Sequence, residues 1–230
     1  MPERKPGTGA PPGHPAMPWE EQALADLLQV AAEIGLPVSL AVQDHLRAYL
    51  RVLNTWAPQM DLIGPDEAAR FGIRHLADAW RAVSILQDHP AGQSLRLIDV
   101  GSGAGLPGIP LALGLSLPTA VLLEPRRRRA SFLRAVDRAL SSCKFEVVES
   151  RSETLVAEGA VFDAVVTRAT FPPAAVAREC GPLVASGGLL LAWIAHDVPL
   201  EGLIDPHLGA PRILSSKASP TSGLAVWRRG

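Results

Sequence analysis

The chain is poor in several things that would otherwise fix its class. It has only two cysteines, Cys143 and Cys180. That is too few for a disulfide framework or a thiolate zinc site. Both fall in apolar segments, where buried free thiols are the expected outcome. There is no excess of charge: the formal net charge is −1. No global field draws the chain to nucleic acid, so any such binding must come from a local patch. The longest apolar stretch, Leu189 to Ala195, is too short to cross a bilayer. The N-terminus is polar and proline-rich and carries no signal-peptide pattern. No internal repeat, Ser/His/Asp arrangement or metal-ligand set is visible. These absences lead one to expect a soluble, cytoplasmic protein that makes no membrane contact; a monomer is the expected state, though no residue pattern specifies it.

What is present supports a folded domain. Apolar residues make up 47% of 230 residues, enough for one domain of ordinary size with a small appendage. The chain is organised around Leu97-Ile98-Asp99-Val100-Gly101-Ser102-Gly103-Ala104-Gly105-Leu106-Pro107-Gly108-Ile109-Pro110. An apolar run ends in an acid, a turn with glycine at 101, 103 and 105 follows, and a helix begins where proline is tolerated. Glycine permits positive φ and close ligand approach. The dinucleotide fingerprint G-x-G-x-x-G would need glycine at 106, where Leu106 stands. About twenty residues on, Val121-Leu122-Leu123-Glu124 closes a second apolar run with an acid able to take ribose hydroxyls. Asp99, Gly101, Ser102, Gly103, Gly105 and Glu124 are therefore the candidate cofactor residues. Their pattern looks like the S-adenosylmethionine site of class I methyltransferases.

The rest of the chain fits an α/β fold. Residues 1–18 read as a disordered tail, since they carry six prolines and cannot bury a core. Residues 19–90 read as a helical extension. Leu24, Leu27, Leu28, Ala31 and Ile34 share one helical face, and Val42, Leu46, Tyr49, Leu50, Leu53 and Trp56 another. A third helical region spans 65–87, broken at Gly72, and the three pack on one edge of the sheet. Residues 91–230 form the sheet domain. Strands are expected at 95–100, 119–124, 144–149, 161–167 and 188–194, with helices at 106–114, 126–140 and 172–185. The segment 151–159 is too short to assign as a crossover helix. This alternation predicts a Rossmann-like parallel sheet with helices on both faces. Residues 212–216 and 224–228 add an antiparallel hairpin.

Charge is concentrated in Arg126-Arg127-Arg128-Arg129 with Arg134 and Arg138, at the start of one helix. Arg127 and Arg128 are the candidate RNA contacts. An ordinary solvated helix surface is equally open, because four successive side chains point around the whole helix. Arg168 ends the run Ala164-Val165-Val166-Thr167, at the carboxyl end of a strand where α/β sheets bind ligands. A salt bridge to Asp163 or Glu179 is its bland alternative. His75 and Asp78 sit three apart on a helix and can project together. Spacing alone favours a surface or capped histidine.

Together the motifs Arg74-His75-Leu76-Ala77-Asp78, Asp99 to Leu111, Glu124 with Phe132-Leu133, Arg151-Ser152-Glu153 and Thr167-Arg168-Ala169 resemble the small-subunit ribosomal RNA methyltransferase G family. This family is also called glucose-inhibited division protein B. The Gly-Leu-Pro-Gly-Ile-Pro run looks specific to it. The resemblance covers Leu46 to Ala195. It implies methylation of N7 of a guanine in small-subunit (16S) ribosomal RNA, from S-adenosylmethionine, with that RNA or the small ribosomal subunit as partner. It further implies that Gly101 and Leu106 line the cofactor and that Ser152 and Glu153 lie along the adenine. Arg168 would border cofactor and target base, with His75 and Asp78 facing the catalytic cleft. Asp61-Leu62-Ile63, Ala79 and Ile194 depart from the family's usual Asn-Leu-Thr, serine and lysine. The residues alone also admit a class I methyltransferase acting on another RNA or a small molecule, or a silent RNA- or cofactor-binding module.

Overall fold

The apolar runs become strands, and the stretches with helical periodicity between them become helices. The computed structural model describes residues 18–60, 68, 70–140, 143–195, 197–214 and 223–230. Residues 1–17 of the expected tail, Asp61-Leu62-Ile63, residues 65–67 and 69 of the expected third helical region, and residues 215–216 of the first hairpin strand with the loop to 222 lie outside the described residues.

The strands are β1 (Leu97–Val100), β2 (Thr119–Leu123), β3 (Lys144–Val148), β4 (Phe162–Arg168), β5 (Val184–Ile194), β6 (Arg212–Leu214) and β7 (Gly223–Arg228). They form one sheet in the order β3-β2-β1-β4-β5-β7-β6. The first five are parallel, and β7 runs antiparallel between β5 and β6, which completes the expected hairpin. From β1 the chain winds outward through β2 and β3, then returns to place β4 on the other side of β1. That reversal opens a crevice at the carboxyl ends of β1 and β4, the usual ligand position in such sheets.

Helices α1 (Trp19–Glu33) and α2 (Leu40–Trp56) precede the sheet. Ser39 caps α2, its hydroxyl accepting from the Val42 amide at 3.3 Å. The expected break at Gly72 is not there. A π-helical segment, Gly72–Ala77, runs through it and continues into α3 (Asp78–Arg81) and α4 (Val83–Leu86). Gly72 serves close packing instead: a Cβ there would meet the Ala23 carbonyl and the Asp26 side chain on α1.

Four further helices lie between strands: α5 (Gly108–Gly114), α6 (Arg127–Ala139), α7 (Ser152–Ala157) and α8 (Pro173–Cys180). Thus the short 151–159 segment does contain a crossover helix. Tertiary packing of buried Leu155 holds what six residues could not hold alone.

The helical extension covers a face of the sheet, not an edge. Along β5, Leu189, Leu191 and Trp193 join one core cluster with Leu24, Leu46, Tyr49, Leu76 and Phe132. Leu190, Ala192 and Ile194 join Val176, Leu183 and Trp227 in the other. Strand residues alternate faces, and β5 is apolar on both, so each face needs a helical layer. Both cysteines are buried, and burial pushes the Cys143 thiol up to about 12 and moves that of Cys180 upward too.

Candidate active site

A cavity of about 550 Å³ opens at the carboxyl ends of β1, β2 and β4. Its lining brings together Gly101, Ser102, Gly103, Leu106, Glu124, Ser152, Glu153, Arg168 and His75 from among the residues expected from sequence. The loop after β1 folds back on β2: the Leu123 carbonyl accepts from the amides of Gly101 (2.8 Å) and Ser102 (3.1 Å). The Ser102 hydroxyl donates to the Asp99 carbonyl at 2.9 Å.

The loop glycines have positive φ, +76° at Gly101, +54° at Gly103 and +83° at Gly105, but for different reasons. A Cβ at 101 would collide with Thr170, and one at 105 with Ile109. A Cβ at 103 would meet only Arg129 Nη1 at 3.5 Å and the Gly101 carbonyl at 3.8 Å. Gly101 and Gly105 are small because the protein fills the space. Gly103 leaves a cradle open on the cavity.

Beside that cradle stands Glu124, which is only 3% exposed. Its Oε2 accepts from the Gly103 amide at 3.0 Å and its Oε1 from the Arg126 amide at 2.9 Å. Each carboxylate oxygen keeps a further lone pair, so the group can still receive ribose hydroxyls. The open cradle and the held carboxylate fit S-adenosylmethionine. Ser152 begins α7 on the adjoining wall, its hydroxyl donating to Glu153 Oε2 at 3.3 Å.

The structure places Asp99 and Gly105, both expected at the cofactor, beneath the loop rather than in the cavity wall. Asp99 is fully buried, and its Oδ2 accepts from the Gly108 amide at 2.9 Å, at the start of α5. Its Oδ1 has no hydrogen-bond partner. Burial, helped by the nearby charge of Glu124, pushes the carboxyl up to about 7 despite the Gly108 amide. Asp99 thus braces the loop against the helix.

Arg168 projects into the cavity from the end of β4. Its Nη2 donates to the Arg74 carbonyl at 2.7 Å and lies 3.8 Å from Asp78 Oδ2. Asp78 in turn pairs with Arg81 at 3.0 Å. The two alternative partners are otherwise engaged: Asp163 accepts from the Arg96 amide, and Glu179 pairs with Arg178. Asp78 therefore reaches the site through Arg168 and is not itself in the wall. His75 is in the wall, its ring 5.0 Å from that of Phe71. Ala169, next to Arg168, holds a φ of +52°, a strained conformation of the kind found at ligand sites.

Sequence reasoning missed several residues. Arg127 and Arg128 are exposed and outside the wall, whereas Arg126 and Arg129 line it. Their i, i+3 spacing at a helix start was the available signal. Tyr49, on α2, donates its hydroxyl to the Ala104 carbonyl in the glycine loop at 2.8 Å, and nothing in its spacing announced this. Of the departures from the family pattern, Ala79 is buried in the core. Ile194 lines a second, smaller cavity.

A parallel sheet closed by an antiparallel hairpin, a glycine loop open at one point, and an acid ending β2 define a class I S-adenosylmethionine-dependent methyltransferase. The bifunctional kinase-methyltransferase WbdD has a similar fold, with a TM-score of 0.55 at 15% identity over 77% of this chain and 46% of that one. The family model for rRNA small subunit methyltransferase G matches residues 42–198. The ribosomal RNA small subunit methyltransferase G of Chlorobium luteolum is 29% identical, covering 79% of this chain and 74% of its own. That of Syntrophus aciditrophicus is 32% identical, covering 71% and 68%. The chain belongs to the rRNA small subunit methyltransferase G family.

Proposed function

We propose that this protein transfers a methyl group from S-adenosylmethionine to N7 of a guanine in 16S ribosomal RNA. One observation carries the reading: a single cavity joins the Gly103 cradle, Glu124 and Arg168. Bound there, S-adenosylmethionine supplies an electrophilic methyl carbon. Gly101, Gly103 and Leu106 would border it, Glu124 would take the ribose hydroxyls, and Ser152 and Glu153 would flank the adenine. N7 carries a free lone pair and no proton, so the site needs no general base. Catalysis is then positioning. Arg168, held by Asp78 and the Arg74 carbonyl, orients the base or its phosphate with a planar fork rather than accepting a proton. His75 faces the same space. Exposed Arg127 and Arg128 would track the RNA phosphates. The target nucleotide must leave its stack to reach the cavity. The protein acts as a monomer on ribosomal RNA or the small subunit, in the cytoplasm. Among the described residues no helix is long and apolar enough to cross a membrane.

The test is single-turnover methylation of small subunits by wild type, Arg168→Ala and Arg168→Lys. Arg168→Ala should lose on the order of a hundredfold in rate, as a misplaced base does. Arg168→Lys should recover little, because a point charge does not replace the fork. Melting curves serve as the folding control, since Arg168 also ties the π-helical segment to the sheet. Near-normal turnover by Arg168→Ala would remove it from the mechanism, and failure of the wild type to methylate any small-subunit RNA would overturn the assignment.

A further inference from the structure

Three side chains join the helical extension to the strand end that carries the substrate-orienting arginine. Asp78 begins α3 and Arg81 ends it, so the two stand side by side one turn apart. Arg81 Nη1 donates to Asp78 Oδ1 at 3.0 Å. The other carboxylate oxygen, Oδ2, faces Arg168 Nη2 at 3.8 Å. That is an ion pair, too long for a hydrogen bond. The same Nη2 donates instead to the Arg74 carbonyl at 2.7 Å. Arg74 lies in the π-helical segment, a kind of turn common at functional sites. The side chains of Arg81, Asp78 and Arg168 are 13%, 4% and 18% exposed, so solvent screens their charges little. Arg168 lines the methyl-donor cavity and Arg81 does not. We infer that Arg81 is a positioning residue for methyl transfer: it holds the Asp78 carboxylate to itself and so keeps Asp78 from drawing Arg168 off the target base.

The inference rests on the role proposed above for Arg168 and assigns what sets its position. One carboxylate stands between two guanidinium groups and meets them unequally, with a hydrogen bond to Arg81 and only a longer attraction to Arg168. Without Arg81, Asp78 loses that hydrogen bond in a place where losing one is costly. It would turn to Arg168 and close the 3.8 Å gap. Charge-assisted N–H···O bonds are about 2.7–2.9 Å long, so Nη2 would move by about 1 Å and take the planar fork with it. A displacement of that size costs up to about a hundredfold in rate. A merely supporting Arg81 makes the opposite prediction. Removing it would loosen Asp78 and with it Arg168, and removing the aspartate as well would deepen the loss.

Two measurements separate these cases. The first is nitrogen NMR of arginine side chains in cofactor-free protein, with the Arg168 signal assigned by its absence from Arg168→Lys. Rotation of the Arg168 guanidinium about its Nε–Cζ bond should slow severalfold in Arg81→Met and return to the wild-type rate in Arg81→Met/Asp78→Asn. The second is single-turnover methylation of small subunits together with calorimetry for S-adenosylmethionine. Arg81→Met should keep its cofactor affinity and lose on the order of tenfold in the maximal rate. The double variant should recover most of that loss, because Arg168 keeps the Arg74 carbonyl and no carboxylate competes for it. Arg81→Lys, which leaves a cation beside Asp78, should stay close to wild type. Melting curves control for folding, and if Arg81→Met does not fold, Arg81→Gln carries the same comparison. Unchanged rotation in Arg81→Met would overturn the inference, as would a double variant no faster than the single one. Failure of the proposed function looks different: wild type would methylate no small-subunit RNA, whereas the NMR comparison is read without any methyl transfer.

Discussion

Gly103 and Gly105 are two residues apart and share a positive φ, yet their loss should be felt in different measurements. Gly103→Val puts a side chain in the open cradle at a backbone cost of about 1–3 kcal/mol. The protein should still fold, with a lowered Tm, and calorimetry should detect no S-adenosylmethionine binding. Gly105→Val drives its side chain into Ile109 in the core, so the larger loss should be in the melting temperature itself. Equal cofactor affinity in wild type and Gly103→Val would show that the cradle is not the ligand's. Asp99 offers a pH test. Its carboxyl is raised to about 7, so the folded protein keeps a proton that the unfolded chain releases near pH 4. The associated stability is complete below about pH 4 and is lost as pH rises through about 7. Asp99→Asn still presents an oxygen to the Gly108 amide but has no charge to bury. Between pH 5 and 8 the wild-type melting temperature should therefore fall relative to the variant, by roughly 2–4 °C for each kcal/mol. Parallel curves would mean that the carboxyl does not titrate there.

At the scale of the element, the start of α6 parts its arginines. Arg126, at the N-cap, and Arg129 line the cavity, while Arg127 and Arg128 are exposed and outside its lining. The double variant Arg127→Ala/Arg128→Ala should weaken RNA binding and flatten its dependence on salt, since fewer phosphate contacts release fewer counterions. Cofactor affinity should stay unchanged, and an unaltered salt slope would return these side chains to the ordinary surface. Elements of this kind differed in how far the sequence disclosed them. The five parallel strands were legible because apolar runs such as Ala164-Val165-Val166 are bounded by polar or turn residues. The acid at the end of β2 and the loop glycines were legible by spacing. The π-helical segment was not, because Gly72 signals a break in one dimension and a close approach to α1 in three. Nor was α7, whose six residues carry too little periodicity to be told from a turn. The placing of Asp99 was hidden for a related reason: spacing puts it at the strand end but cannot say that its side chain turns under the loop toward Gly108.

Taken whole, the molecule has one helical layer on each face of the sheet, and the layer that includes α1 and α2 is continuous with the core behind the glycine loop. The Tyr49 hydroxyl reaches the Ala104 carbonyl from a position 55 residues earlier in the chain. Burial pushes that phenol far above its ordinary range, with the Asp99 charge adding to the effect, so it remains a donor at any working pH. The bond makes the loop and α2 parts of one opening equilibrium. Whatever binds and immobilises the loop must make the opening of α2 less favourable, and whatever loosens α2 must weaken binding at the loop, by the same free energy. Filling the cavity should therefore register as slower amide exchange along Leu46–Leu53, in a helix that has no residue in the cavity wall.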